Sequence, residues 1–241
     1  MNLKYFDGGQ MELNSIAFIP DGNRRYAQKV GISVLKSYQL GTQKAWQVFD
    51  WLNKYKEIKV GTFWSLSLEN FKRTKEIPVL FRIFEKELDK VKSSGLFERN
   101  GIRLKFIGRQ SVFPKRLQEK MRAAEQFTEN FSNKLMNVAL GYSGQAEIVD
   151  AAKAIALDYE EGKMNLDSLD EEKFHDYLYG DFTDPDLIVR TSGVKRLSGF
   201  LPYQSAYSEL YFIDKYWPEI TESDLDSAVQ DYYARKRNFG K

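Results

Sequence analysis

Ile16-Ala17-Phe18-Ile19-Pro20-Asp21-Gly22-Asn23-Arg24-Arg25 opens the patterned part of the chain. Its first four residues form a short apolar run, which reads as a buried strand. Pro20 has no N–H to give a ladder and ends it. Asp21-Gly22-Asn23 is turn and helix-start chemistry, and Arg24 and Arg25 then open a short helix. One carboxylate, the free N–H groups of a helix start and two guanidinium groups therefore meet at the C-terminal end of a strand. An open α/β sheet holds a phosphorylated ligand in that way. The carboxylate alone would repel phosphate, and a divalent cation between the two removes the conflict. The plainer reading of the same residues is a strand-turn-helix corner with a capping aspartate and two solvated arginines.

A second stretch repeats the logic. Asp186-Leu187-Ile188-Val189-Arg190-Thr191-Ser192-Gly193-Val194-Lys195-Arg196-Leu197-Ser198 is a buried strand followed by a glycine-containing loop with cations and hydroxyls. Arg190 and Arg196 can each fork onto a phosphate, and Ser192 and Ser198 can add donors. Glu209 lies just ahead of a last apolar run, Leu210 to Ile213, and could approach a metal. Two such loops imply two phosphorylated ligands, or one long one. The chain lacks the Gly-x-x-x-x-Gly-Lys-Ser/Thr loop of P-loop enzymes and the Gly-x-Gly-x-x-Gly of dinucleotide dehydrogenases.

Between these stretches, apolar periodicity predicts helices over Gly41 to Lys56, Ile77 to Val91, from Pro114, near Ile148, and from Glu222 to Arg235. Strands are expected at Val60 to Trp64, Ile102 to Ile107 and Leu135 to Leu140, and Ser65 to Arg73 reads as a polar loop. About six short strands alternating with helices give an α/β fold, a mostly parallel sheet flanked on both faces. Residues 1–14 are weakly patterned and are expected to be a flexible arm before one domain over 15–241.

Composition narrows the chemistry. Of 241 residues 42% are hydrophobic, enough for a full core. Net charge is only +2, which is no broad footprint for nucleic acid. Cysteine is absent, so disulfides, thiolate nucleophiles and cysteine metal sites are excluded. The one histidine, His175, sits in a polar run and is expected to be an exposed helix residue, which leaves no histidine metal cluster. No signal peptide is expected from the first residues, and no apolar run in the sequence is long enough to span a bilayer. A cytoplasmic protein is expected.

Four motifs, in order, resemble the cis-prenyltransferases, the family of undecaprenyl diphosphate synthase. They are Asp21 to Arg25, Ser67-Leu68-Glu69-Asn70-Phe71-Lys72-Arg73, Arg190-Thr191-Ser192-Gly193 running to Ser198, and Gln204-Ser205-Ala206-Tyr207-Ser208-Glu209-Leu210-Tyr211-Phe212. Tyr142-Ser143-Gly144 before Glu147-Ile148 is a weaker match, and the resemblance runs from Ile16 to Gly240. It implies a domain that dimerises around a hydrophobic tunnel, with the helix from Ile77 to Val91 as a wall. By the same resemblance Gly22, Asn23, Arg24, Arg25, Ser67 and Arg73 hold an allylic diphosphate. Arg190, Arg196 and Ser198 hold isopentenyl diphosphate. Asp21 and Glu209 serve Mg2+, and Asp21 and Asn70 are the catalytic residues. An oily product from a chain without an anchor implies transient contact with membranes.

The chain departs from the family pattern at Val34, Tyr38, Gln145, Val194 and Asn238, where the family usually carries arginine, histidine, arginine, glutamate and arginine. These positions surround the diphosphates. They leave open a relative with an unusual acceptor or irregular condensation, beside regular chain elongation. A non-catalytic subunit of a heteromeric enzyme is a further alternative, opposed by the presence of Asp21, Arg190 and Arg196.

Overall fold

β1 (Ser15–Ile19) lies inside a six-stranded sheet of order β3-β4-β2-β1-β5-β6. The other strands are β2 (Val60–Ser67), β3 (Ile102–Ile107), β4 (Lys134–Tyr142), β5 (Leu187–Arg190) and β6 (Glu209–Phe212), and every ladder is parallel. The computed structural model describes residues 12–180 and 182–235. Parallel strands need long return connections. Helices lie in four of the five: α1 (Asn23–Val30), α2 (Val34–Trp51), α3 (Ile77–Ser93), α4 (Leu96–Asn100), α5 (Lys115–Thr128), α6 (Gly144–Glu160) and α7 (Glu171–Asp176). Residues 191–208 join β5 to β6 without a helix, and α8 (Glu222–Ala234) follows β6.

All five residues of β1 are buried, as expected for a strand covered on both faces. Ile16 and Phe18 point into one core with Val48 and Phe49 of α2, Leu80 and Phe84 of α3, Leu117 of α5 and Leu225 of α8. Ala17 and Ile19 point into the other, with Ile107, Ala139, Ile188, Phe200 and Leu201. Phe18 stacks on Phe63 of β2 at 4.8 Å between ring centroids, so the first core is aromatic at its centre. Phe71, Phe81 of α3 and Phe113 pack together at the margin of the same core, with ring centroids 5.4–6.0 Å apart.

Several boundaries differ from the sequence reading. β2 runs on to Ser67, and Leu68–Lys72 is a 3-10 turn rather than loop, because the Ser67 hydroxyl caps it by accepting the Asn70 N–H at 3.3 Å. Helix α2 starts at Val34 rather than Gly41, capped by Ser33 accepting the Lys36 N–H at 3.2 Å. Glu209 is the first residue of β6, not a residue ahead of it. His175 is half-buried rather than exposed, its Nε2 2.8 Å from Asp184 Oδ1. The arm expected over 1–14 is shorter at its inner end. Leu13 is buried, its N–H donating to the Tyr233 hydroxyl, and the Asn14 carbonyl accepts the N–H groups of Lys59 and Val60. Residues 1–11 of that arm lie outside the described residues.

Candidate active site

From β1 the chain returns to β2 on one side, and from β5 it continues to β6 on the other. The C-terminal ends of β1 and β5 therefore flank the crevice where open α/β sheets bind ligands. The register pairs Ile19 with Arg190, so Asp21 and the loop after Arg190 stand at that crevice. The Ser67–Arg73 segment leaves the same end of neighbouring β2.

Local chemistry shapes each side. The Asp21 N–H turns back to the Ile19 carbonyl at 2.9 Å across Pro20. Gly22 has φ +101°, and a Cβ there would lie 2.6 Å from Tyr216 Cδ1, so only glycine fits. No side chain caps the start of α1, which leaves its first N–H groups available to an anion. Gly41 admits Asn23, because a Cβ at Gly41 would meet Asn23 Oδ1 at 2.4 Å. The Ser37 hydroxyl donates to the Asn23 carbonyl at 2.6 Å. Opposite, Ser192, Ser198 and Leu201 have φ of +76°, +55° and +48°. They are the non-glycine residues with left-handed backbone among those described, and such strain gathers at ligand sites.

The Asp21 carboxylate sits between two guanidinium groups. Arg190 Nη2 donates to Oδ2 at 2.8 Å, and Arg25 Nη2 is 3.2 Å from Oδ1. Burial works against the charge of Asp21, but the hydrogen bond and charge of Arg190, with help from Arg25, outweigh it and hold the carboxyl below its usual range. Arg190, 5% exposed, reaches the other way too. Its Nη1 donates to Ser198 Oγ at 2.8 Å and to the Arg196 carbonyl, while its buried Nε has no partner. Arg196 Nε donates to the same Ser198 hydroxyl at 3.3 Å. Arg25 also donates to Ser192 Oγ at 2.6 Å and lies over the Tyr216 ring at 5.5 Å. Arg24 is exposed and 3.7 Å from Glu76, which accepts the Tyr38 hydroxyl at 2.6 Å. Lys29, Asp214, Lys215, Tyr216 and Glu219 line an open cleft beside this cluster, about 550 Å³ in volume.

These residues fit a Mg2+ that arrives with phosphates. Mg2+ typically takes one or two carboxylates and fills its shell with phosphate oxygens and water. Asp21 supplies one carboxylate, and the described residues include no set of three or more carboxylate or imidazole groups gathered to cage a metal.

Glu209 does not join this site within its own chain. Leu187 pairs with both Ile16 and Glu209, so Glu209 lies level with the beginning of β1, whereas Asp21 lies beyond its end. Two strand spacings put them about 10 Å apart across the sheet, and three or more residues put them at least about 10 Å apart along it. Arg235 instead holds Glu209 through Nη1 and the Leu210 carbonyl through Nη2 at 2.9 Å. Asp21 and Glu209 of one chain therefore do not meet at one metal.

Of the departing positions, Val34 opens α2, Tyr38 binds Glu76, Gln145 is exposed on α6, and Val194 is half-buried in the loop after β5. Asn238 lies outside the described residues. The sequence reading missed Tyr216 and Trp217, whose N–H donates to the Asp21 carbonyl at 3.0 Å. They lie far along the chain and carry no motif of their own.

Three comparisons bear on this geometry. The prenyltransferase family model, described as undecaprenyl diphosphate synthase, matches residues 19–240. A tritrans,polycis-undecaprenyl-diphosphate synthase (geranylgeranyl-diphosphate specific) of Thermoplasma acidophilum is 45% identical over 228 residues, covering 94% of this chain and 88% of that protein. Its namesake from Pyrobaculum aerophilum is 42% identical over 230 residues, 94% and 95% of the two chains. Among solved structures, lavandulyl diphosphate synthase from Lavandula x intermedia, in complex with dimethylallyl diphosphate, superposes with a TM-score of 0.90 at 34% identity over 95% of this chain and 98% of that one. A probable undecaprenyl diphosphate synthase from Campylobacter jejuni gives 0.78 at 29% identity over 96% and 100%.

Proposed function

We propose that this chain, which belongs to the undecaprenyl diphosphate synthase family and is a prenyltransferase, condenses an allylic prenyl diphosphate with isopentenyl diphosphate to lengthen a cis-polyprenyl diphosphate. The observation that carries the reading is the Asp21 carboxylate held between Arg190 and Arg25 at the β1/β5 crevice. The names of its archaeal relatives support geranylgeranyl diphosphate as the allylic substrate.

In this reading, the start of α1 with Arg24 and Arg25 binds the allylic diphosphate, and Ser67, Asn70 and Arg73 face it from the end of β2. Arg190, Arg196 and Ser198 take the acceptor diphosphate. Asp21 would hold a Mg2+ arriving with the phosphates, and that ion would supply positive charge against the departing diphosphate. The cations on both sides of the crevice stabilise the same developing charge and fix the two substrates against each other. The allylic C1–O bond breaks, the acceptor's terminal double bond forms the new C–C bond at C1, and a C2 proton of the acceptor passes to the released diphosphate, leaving a double bond between C2 and C3. No nucleophilic side chain is required, which suits a chain without cysteine. The apolar side of α3 contributes to the wall of the product tunnel.

The enzyme works as a homodimer. For Glu209 to serve the metal it must enter the site of the second chain, since its own Asp21 is at the other end of the sheet. The protein is cytoplasmic and meets membranes transiently to release product. No helix among the described residues is long and apolar enough to cross a bilayer.

The test is mass spectrometry of products from purified protein and Mg2+, given geranylgeranyl or farnesyl diphosphate as donor and isopentenyl or dimethylallyl diphosphate as acceptor. Regular products from geranylgeranyl and isopentenyl diphosphate are expected. Failure to incorporate isopentenyl diphosphate contradicts the reading.

A further inference from the structure

We propose that Thr191 is the positioning residue for Asp21, its hydroxyl setting where that carboxylate stands when it meets the metal and diphosphates; this rests on the function proposed above. Thr191 is one register step beyond the Ile19–Arg190 pair, where the sheet ends and the site begins. It is 1% exposed. Its N–H donates to the Ile19 carbonyl at 3.3 Å. Its hydroxyl accepts the Asp21 N–H at 2.9 Å and donates its own proton to the Asp21 carbonyl at 2.7 Å. A hydroxyl has one hydrogen and two lone pairs. Here the hydrogen and one lone pair are spent on the two backbone groups of one residue, the residue that carries the carboxylate.

The clamp is stiff on both sides. Threonine is β-branched, so its χ1 has few choices and the hydroxyl is aimed rather than free to rotate away. The backbone of Thr191 is fixed from behind by β5 and from ahead by Ser192, which turns to φ +76°, donates its N–H to the Lys215 carbonyl at 2.8 Å and accepts Arg25 Nη2 at 2.6 Å on its hydroxyl. Asp21 has only two side-chain torsions between backbone and carboxylate, so movement of its Cα passes almost directly to the oxygens that Arg190 and Arg25 grip.

The fold does not need this hydroxyl in the same way. Without it, the Asp21 N–H keeps the Ile19 carbonyl at 2.9 Å, and the Asp21 carbonyl keeps the Trp217 N–H at 3.0 Å. Neither backbone group is orphaned. What is lost is the tie from the Asp21 backbone to the residue that follows β5, while the Arg190 hydrogen bond to the carboxylate remains. Positioning and stability can therefore be separated by experiment.

Thr191→Val removes the hydroxyl at nearly constant shape, and Thr191→Ser restores it. Three quantities are read for each: turnover against Mg2+ concentration with geranylgeranyl and isopentenyl diphosphate; thermal unfolding; and binding of Mn2+, followed by electron paramagnetic resonance in the presence of the S-thiolo analogue of geranylgeranyl diphosphate. Thr191→Val is expected to lower kcat about tenfold to a hundredfold, the penalty of a small misplacement at a reacting centre. It should raise the half-saturating Mg2+ concentration and weaken Mn2+ binding several-fold, with little change in the KM of isopentenyl diphosphate. Thr191→Ser should recover most of both. The inference is overturned if Thr191→Val loses turnover only in proportion to its lost folded fraction, with Mg2+ requirement and Mn2+ binding as in the wild type, or if Thr191→Ser is no better than Thr191→Val. Asp21→Ala separates the two levels. If it turns over normally, the metal reading of Asp21 fails and this inference with it; if it is inactive while Thr191→Val is normal, this inference alone fails.

Discussion

Asp21–Arg190 and Glu209–Arg235 pair the same chemical groups in two surroundings. At the crevice, Arg190 has its Nη atoms split between Asp21 and the Ser198 side, leaves a buried Nε without a partner, and faces a loop of left-handed residues. At the other end, Arg235 binds Glu209, Asp231 and the Leu210 carbonyl together, at the end of a regular helix and the start of a regular strand. Buried arginine with an unused donor, beside strained backbone, is a site waiting for an anion. An arginine closing a helix end onto a strand is a tie in the fold, and here it also holds Glu209 in place at the far end of the sheet. The residue types alone did not separate these cases; sheet register did.

The largest expected effect is at the crevice. Asp21→Ala should lower turnover by about two orders of magnitude or more, as for loss of a group that stabilises transition-state charge. Steady-state rates at saturating Mg2+ test it, and near-normal turnover would erase the distinction between the two pairs. Next is Arg190→Ala, expected to raise the KM of isopentenyl diphosphate more than that of the allylic donor, by the equivalent of about 1.5–3 kcal/mol for a charge-assisted contact. Equal effects on both substrates would mean that the sides of the crevice are assigned wrongly. Arg235→Met should cost about 1–2 kcal/mol of stability through its lost carboxylate and carbonyl contacts in denaturant unfolding, and should lower turnover less than Asp21→Ala because Glu209 itself is kept.

The smallest effect lies away from both. The Asp184 hydrogen bond raises the pKa of His175 despite partial burial. The folded state then holds the proton more tightly, so this pair stabilises fully below the ordinary histidine value of 6.5 and ceases to do so as pH rises through the folded value. His175→Asn should lower the melting temperature at pH 5.5 by an amount worth under about 1 kcal/mol, and by less at pH 8. A difference that does not shrink with pH would assign the loss to packing.

Much of this was legible in the sequence, for reasons that are local. The strands were legible as short apolar runs or, for Ile102–Ile107, as a clean alternation, and Pro20, Gly22 and the arginines marked the crevice because turn chemistry and anion chemistry are written in neighbouring residues. The helix start at Val34 was missed because Gly41 resembles a breaker, yet it serves as the gap that admits Asn23. The roles of Tyr216, Trp217 and Arg235 were out of reach, since each acts on a residue far away in sequence. The distance between Asp21 and Glu209 of one chain was out of reach for the same reason. Both belong to motifs of the family, but only the ladder Ile16–Leu187–Glu209 reveals that they stand at opposite ends of the sheet.

That separation makes the central claim directly measurable. If the crevice is completed by Glu209 of a second chain, mixing Asp21→Ala chains with Glu209→Ala chains produces mixed dimers with one intact site and one doubly defective site. After unfolding and joint refolding in equal amounts, about half of the dimers are mixed and one in two of their sites is whole, so about a quarter of wild-type turnover should return from two variants each nearly inactive alone. A mixture no more active than the mean of its parents, or a Glu209→Ala chain that is fully active alone, would contradict the account.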